Sequence, residues 1–142
     1  MITYVDTSTL LKLLIEEPGS ARAGVIWDSA DVVAAARVTH VEARAALAAA
    51  DRARRLSPAQ VRRTRTDLAG LWQQLTIVEI TEGLVEEAGD LAEEEWLPGY
   101  DAIHLAAALQ VGADLLTRAD SDLCAAARRR GLHVANPIDE AE

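Results

Sequence analysis

Ile2-Thr3-Tyr4-Val5-Asp6-Thr7-Ser8-Thr9-Leu10-Leu11-Lys12-Leu13-Leu14-Ile15-Glu16 is the stretch whose reading decides the fold. Residues 2–5 read as a buried first strand. From Thr7 the pattern changes, and Leu10, Leu11, Leu14 and Ile15 fall on one face of a helix over residues 7–16. Asp6 stands where strand gives way to helix. The Glu17-Pro18-Gly19-Ser20 segment ends that helix, because Pro and Gly interrupt helices.

The alternation continues along the chain. A helix with Val25, Ile26 and Trp27 leads to a second strand over residues 32–36. The Ala-rich residues 39–55 are strongly helix-forming. Ser57-Pro58-Ala59-Gln60 is a helix start, with Ser57 as N-cap, Pro58 in the first helical position and Gln60 closing a capping box. Residues 76–80 read as a third strand and 81–96 as a helix with an acidic outer face. Helix at 101–111, strand at 115–117, helix at 121–130 and strand at 133–135 complete the pattern. Short strands alternating with helices predict a parallel sheet covered on both faces. No linker or repeat divides the chain, so one α/β domain is expected over residues 1–142.

Four acids occupy related places in this scheme: Asp6 after the first strand, Glu42 early in the helix after the second, Asp101 opening a later helix, and Asp120 just past Leu115-Leu116-Thr117. In an open parallel sheet, ligands bind where strand carboxyl ends meet helix N-termini. Two carboxylates about 5 Å apart repel by roughly 3 kcal/mol at an effective dielectric near 20. A cluster therefore calls for protons or a cation, and an all-oxygen site suits Mg²⁺ or Mn²⁺. Taken singly, each acid has a plainer reading: Asp6, Asp101 and Asp120 as helix caps, Glu42 as a solvated partner of Arg37 or Arg44.

Composition narrows the class. The chain has 142 residues, half of them apolar, no Phe and a net charge of -9. That charge argues against a general polyanion-binding surface, although four of the negative charges belong to the proposed site. Positive charge is localised in Arg52, Arg54, Arg55, Arg62, Arg63 and Arg65, and again in Arg128, Arg129 and Arg130. Cys124 reads as a buried structural thiol. Trp27, Trp72 and Trp96 read as packing residues. No run is long enough to cross a membrane and no signal-peptide core is present, which gives a cytoplasmic expectation. Among the histidines, His104 lies one turn beyond Asp101, and packing or hydrogen bonding is its expected role. Neither zinc-ligand spacing nor a nucleotide-binding glycine motif occurs.

The opening Val5-Asp6-Thr7-Ser8-Thr9-Leu10-Leu11 through Glu17-Pro18-Gly19-Ser20 resembles the start of PIN-domain proteins, especially the VapC-like ribonuclease toxins of toxin–antitoxin pairs. Thr39-His40-Val41-Glu42-Ala43 is similar to the second motif of that family. Gly99-Tyr100-Asp101-Ala102-Ile103-His104 is similar to the third, and Leu115-Leu116-Thr117 with Asp120 to the fourth. The resemblance implies a PIN-like three-layer α/β/α sandwich around a short parallel sheet of four to five strands. It also implies a Mg²⁺- or Mn²⁺-dependent endoribonuclease, with Asp6, Glu42, Asp101 and Asp120 as catalytic and metal-holding acids and Ser8 and Thr117 as supporting hydroxyls. Expected partners are an RNA substrate, a cognate antitoxin and a second copy of the chain. One departure stands out: family members place the fourth Asp two residues after the Thr, where this chain has Ala119, so Asp120 aligns only across an inserted residue and Asp122 competes with it. The alternatives are a cation-binding regulatory α/β domain and a non-catalytic PIN scaffold. The first lacks an acid beside Asp6 and a late-strand lysine. Against the second, the chain keeps all four acids.

Overall fold

The computed structural model describes residues 1–119 and 121–138. The elements alternate as the patterning predicts: β1 (Ile2–Val5), α1 (Thr7–Leu14), α2 (Ser20–Asp28), β2 (Val32–Ala36), α3 (Val38–Arg52) and α4 (Pro58–Gln74), then β3 (Thr76–Val78), α5 (Glu82–Glu95), α6 (Gly99–Gln110), β4 (Leu115–Thr117), α7 (Ser121–Arg129) and β5 (His133–Ala135). All strand pairs are parallel, in the order β3-β2-β1-β4-β5. The chain works outward from β1 to β3 on one side and then crosses to place β4 on the other. The order therefore reverses between β1 and β4, which is where an open α/β sheet leaves a crevice at its carboxyl edge.

The period-2 alternation of the strands sorts side chains into two cores. Tyr4, Ala34, Ala36 and Leu116 point to one face and pack with Leu84, Leu91, Leu105 and Leu123 from α5, α6 and α7. Val5, Val33 and Ala35 point to the other and meet Leu10, Leu14, Leu47 and Leu68 from α1, α3 and α4. The result is three layers. The many small residues in the first core let α6 lie close against the sheet, where Ala102, Ala106, Ala107 and Ala108 are buried against it.

Several local expectations hold atom by atom. Ser57 and Gln60 form the reciprocal capping box that starts α4. Asp6 is the N-cap of α1, accepting from the Ser8 backbone N–H. Cys124 is a buried thiol. Gly19 takes a left-handed φ of 91°, and a Cβ there would meet the Pro137 carbonyl at 2.9 Å, so glycine is required on both counts.

Three readings need correction. Asp101 does not open its helix: α6 begins at Gly99, with Pro98 as N-cap, and Asp101 lies in the first turn. Proline is tolerated there because the early helical N–H groups lack intrahelical partners in any case. β3 stops at Val78, since Thr81 already caps α5 and Glu79 turns outward to pair with Arg37. Trp96 is not a packing residue. It is 90% exposed and terminates α5 at a left-handed φ of 57°, which swings its indole away from the core. Trp27 and Trp72 do pack against the core beneath α1, α3 and α4. No described helix is long and apolar enough to cross a membrane.

Candidate active site

Three of the predicted acids meet at the crevice between β1 and β4. The Asp6 backbone N–H donates to the Thr117 carbonyl at 3.0 Å, which extends the β1–β4 ladder by one step and fixes Asp6 at the sheet edge. Asp6 Oδ2 accepts from Ser8 Oγ at 3.0 Å and from Ser8 N at 3.2 Å. Ser8 Oγ in turn accepts from the Ala119 N–H at 3.1 Å. Ser8 thus ties the carboxylate of β1 to the chain leaving β4. Asp6 is 3% exposed, and its second oxygen, Oδ1, faces inward to the site.

Asp101 arrives from the first turn of α6. Its Oδ1 accepts from Arg118 Nη1 at 2.7 Å, and the same nitrogen lies 3.5 Å from Asp6 Oδ1. One guanidinium nitrogen therefore bridges two acids brought from opposite ends of the sequence. Both acids sit at helix N-termini, where the dipole favours negative charge.

Glu42 comes from the second turn of α3 and pairs with neither Arg37 nor Arg44 in the contacts observed. Its Oε1 accepts from Thr7 Oγ1 at 2.9 Å and meets His104 Nε2 at 2.8 Å. His104 is buried, 3.5 Å from Asp6 Oδ1, with its Nδ1 at 2.7 Å from the Tyr4 hydroxyl. That hydroxyl also accepts the Ala36 N–H; in the imidazolium form both ring nitrogens donate, Nδ1–H to Tyr4 and Nε2–H to the Glu42 carboxylate.

The charges follow from these contacts. Burial works against ionised Glu42, but the His104 hydrogen bond and charge, the Thr7 hydroxyl and the Arg118 charge outweigh it and hold the carboxyl below its ordinary range. Burial also works against the His104 imidazolium. The Glu42 hydrogen bond and the charges of Asp6 and Glu42 prevail, lifting the ring above its ordinary value. Burial, then the Asp6 and Glu42 charges, push the Tyr4 phenol well up, so it stays neutral.

Asp120 lies outside the described residues. Asp122 is in the first turn of α7, exposed to solvent. Thr117 is fully buried, its hydroxyl lies 3.1 Å from Thr9 Oγ1, and its carbonyl accepts the Asp6 N–H. Four participants escaped the sequence reading or were underweighted by it: Arg118, Thr7, Tyr4 and His104. His104 carried a usable signal, since three residues beyond Asp101 puts it on the same helix face. Arg118 directly follows Thr117, so its place at the carboxyl end of β4 was the signal available for it.

The donor set is chemically suited to a hard divalent cation, being all carboxylate oxygen at the Asp6, Asp101 and Glu42 positions. As they lie, no three His, Cys, Asp or Glu side chains among the described residues stand close enough to hold an ion. The cation between Asp6 and Asp101 is Arg118. An apolar groove of about 560 Å³, lined by Val85, Ala88, Tyr100 and Ile103, sits between α5 and α6, and none of the acids lines it.

A PIN-domain family model matches residues 3–129 of this chain. Ribonuclease VapC45 of Mycobacterium tuberculosis is 40% identical over 111 residues, 78% of this chain and 77% of that protein. A toxin–antitoxin complex from Klebsiella pneumoniae contains a chain that superposes with a TM-score of 0.67 at 24% identity, over 95% of this chain and 97% of that one. VapC20 of Mycobacterium tuberculosis, described as a sarcin–ricin loop cleaving toxin, gives a TM-score of 0.67 at 21% identity over 87% and 94% of the two chains.

Proposed function

The chain belongs to the PIN-domain family and to its VapC members, and from that premise we propose that it is a metal-dependent endoribonuclease, the toxin of a toxin–antitoxin pair. The observation that carries this reading is the convergence of Asp6, Asp101 and Glu42 from three separate elements on the crevice where the strand order reverses.

Asp6 and Asp101 would hold Mg²⁺ or Mn²⁺, with Glu42 and Asp120 completing the set directly or through water. When bound, such an ion lowers the pKa of a coordinated water and offsets charge on the phosphate. Ser8 fixes the Asp6 carboxylate so that Oδ1 faces inward. Glu42, held by Thr7 and His104, orients the attacking water and takes its proton at the carboxylate. Its lowered pKa keeps it ionised, and so an acceptor for the water's hydrogen bond. The Tyr4 hydroxyl fixes the imidazole, and through it Glu42. We assign residues 1–142 to one PIN domain working in the cytoplasm, with RNA as substrate, a cognate antitoxin as inhibitor and a second copy of the chain as partner.

Arg118 also suits a second reading, a non-catalytic PIN scaffold in which the guanidinium is a permanent counter-ion. Incubating the purified protein with single-stranded RNA separates the two. Cleavage with Mn²⁺ that is lost in excess EDTA and in Asp101→Asn is the expected result. RNA left intact by well-folded protein at millimolar Mn²⁺ selects the scaffold.

A further inference from the structure

Among the described residues Arg118 is the one cation in contact with both Asp6 and Asp101, and it reaches them through a single atom, Nη1. Its backbone is anchored independently of that contact: its N–H donates to the Ala135 carbonyl at 3.2 Å, and its own carbonyl faces Cys124 Sγ. The side chain is mostly buried, with 15% of it exposed at the crevice. A divalent cation taking Asp6 Oδ1 and Asp101 Oδ1 must compete with Nη1 for those same two oxygens. Three carboxylates carrying about three negative charges need a counter-charge in either state, and the two cations repel each other.

Resting on the metal-dependent reading above, we infer that Arg118 is an exchangeable counter-ion: it bridges Asp6 and Asp101 in the metal-free protein, yields both oxygens to the incoming divalent cation, and turns its guanidinium to the RNA phosphate that joins that cation. The exchange keeps the acids from facing one another uncompensated. It also delivers a planar, two-pronged phosphate donor to the site only once the ion is present, a geometry to which Arg is suited and Lys is not.

Arg118→Gln and Arg118→Lys test this, with Mn²⁺ alone as the probe in isothermal titration and a short single-stranded RNA as substrate. Removing a competing positive charge should tighten Mn²⁺ binding by about tenfold or more in Arg118→Gln. It should also raise the KM for RNA at saturating Mn²⁺, by about tenfold for the loss of a charge-assisted contact. Arg118→Lys should keep wild-type-like Mn²⁺ affinity. A residue that merely supports the fold would weaken both steps together, so opposite signs identify the exchange. Mn²⁺ binding no tighter in Arg118→Gln overturns the displacement, and an unchanged KM overturns the hand-over to phosphate. A second measurement needs no variant. In wild-type protein the Arg118 side-chain ¹⁵N–¹H signals, broad or split by the bridge, should collapse to those of a freely rotating guanidinium on adding Mg²⁺. Persistence of the bridged signals at saturating Mg²⁺ overturns the inference. If wild-type and Arg118→Gln both fail to bind Mn²⁺, the proposed function falls along with it. If wild-type cleaves RNA with metal and Arg118→Gln binds Mn²⁺ no better, only the inference falls.

Discussion

The sheet carries acids at both of its ends, and the two ends treat them differently. At the amino edge, Asp31 pairs with the Met1 amino group, and Asp114 Oδ2 accepts the Ile2 N–H at 2.8 Å. Both acids are exposed, and each is met by one local donor with water around the rest. At the carboxyl edge, Asp6, Asp101 and Glu42 share one guanidinium and one imidazole in a largely buried crevice. In a parallel sheet this edge receives the helix N-termini, whose dipoles favour carboxylates. The same residue type is thus a solvated strand-end group at one edge and part of an under-neutralised cluster at the other. Strand direction, which sequence pattern supplies, decides which.

The largest effect that could break this contrast is on catalysis. Asp6→Asn and Asp101→Asn should each lower metal-dependent RNA cleavage by about a thousandfold or more, the scale on which preorganised charge contributes to such sites. The fold should survive in both, because Asn caps a helix about as well as Asp and lost ion pairing is offset by relieved repulsion. Asp31→Asn and Asp114→Asn should leave the rate unchanged and cost little stability, as exposed pairs do. Equal losses at the two edges in a cleavage assay would dissolve the distinction.

Metal should sharpen it. Mn²⁺ at about a hundred times its dissociation constant should stabilise the wild-type protein by about 2.7 kcal/mol, read as a higher melting temperature. The gain should vanish in Asp101→Asn and persist in Asp114→Asn. A shift of equal size in Asp101→Asn would mean that the ion binds elsewhere.

Proton linkage gives a smaller effect with a defined sign. His104 has a raised folded pKa, so its contribution is full below its ordinary value of 6.5 and is lost as pH rises through the folded value. Glu42 has a depressed folded pKa, so its contribution is full above its ordinary 4.5 and is lost as pH falls through the folded value. The two groups together therefore favour metal-free stability between those ordinary values. At the amino edge, the Met1 amino group, raised from 8.0 by Asp31, adds a loss only at higher pH. Melting curves of metal-free wild-type and His104→Gln protein should separate the edges. The variant should be less stable, with the decline just above 6.5 removed and the Met1 part kept. An unchanged decline in His104→Gln would assign the titration to another group.

Much of this architecture is legible in the sequence because it is local. The change of period at Asp6 and the Ser57–Gln60 box each depend on neighbouring residues. The acids are legible as a set because a parallel sheet gathers βα junctions at one edge. What escapes is what depends on contact across the sheet. Arg118 follows Thr117 and reads alone as a solvated strand-end cation. Its meaning comes from β4 lying beside β1, which puts it against a residue 112 positions away. Tyr4 reads as core, and it is core. Its second role needs the α6 imidazole above the sheet to meet its hydroxyl. Trp96 misleads for the opposite reason, because a left-handed cap reverses the direction that helical spacing predicts.

The smallest expected difference lies between two acids that sequence alone could not separate. Asp122 is exposed in the first turn of α7, a place where its charge is favoured by the helix dipole and needs no further partner. Its next neighbour, Leu123, is fully buried in the core, which fixes the rotation of α7 and turns position 122 to solvent. Asp120 is two residues closer to Arg118, whose guanidinium already sits between Asp6 and Asp101. An acid acting there through water would matter less than one in direct contact. Asp120→Asn should therefore weaken cleavage or Mn²⁺ affinity by about tenfold, well short of Asp6→Asn, on the scale of a single outer-shell contact to a metal site. Asp122→Asn should stay within about twofold in activity and cost about 0.5 kcal/mol of stability through the lost dipole interaction. A larger defect in Asp122→Asn would move the inserted residue of the fourth motif to the other side of Asp120 and make Asp122 the acid that faces the crevice.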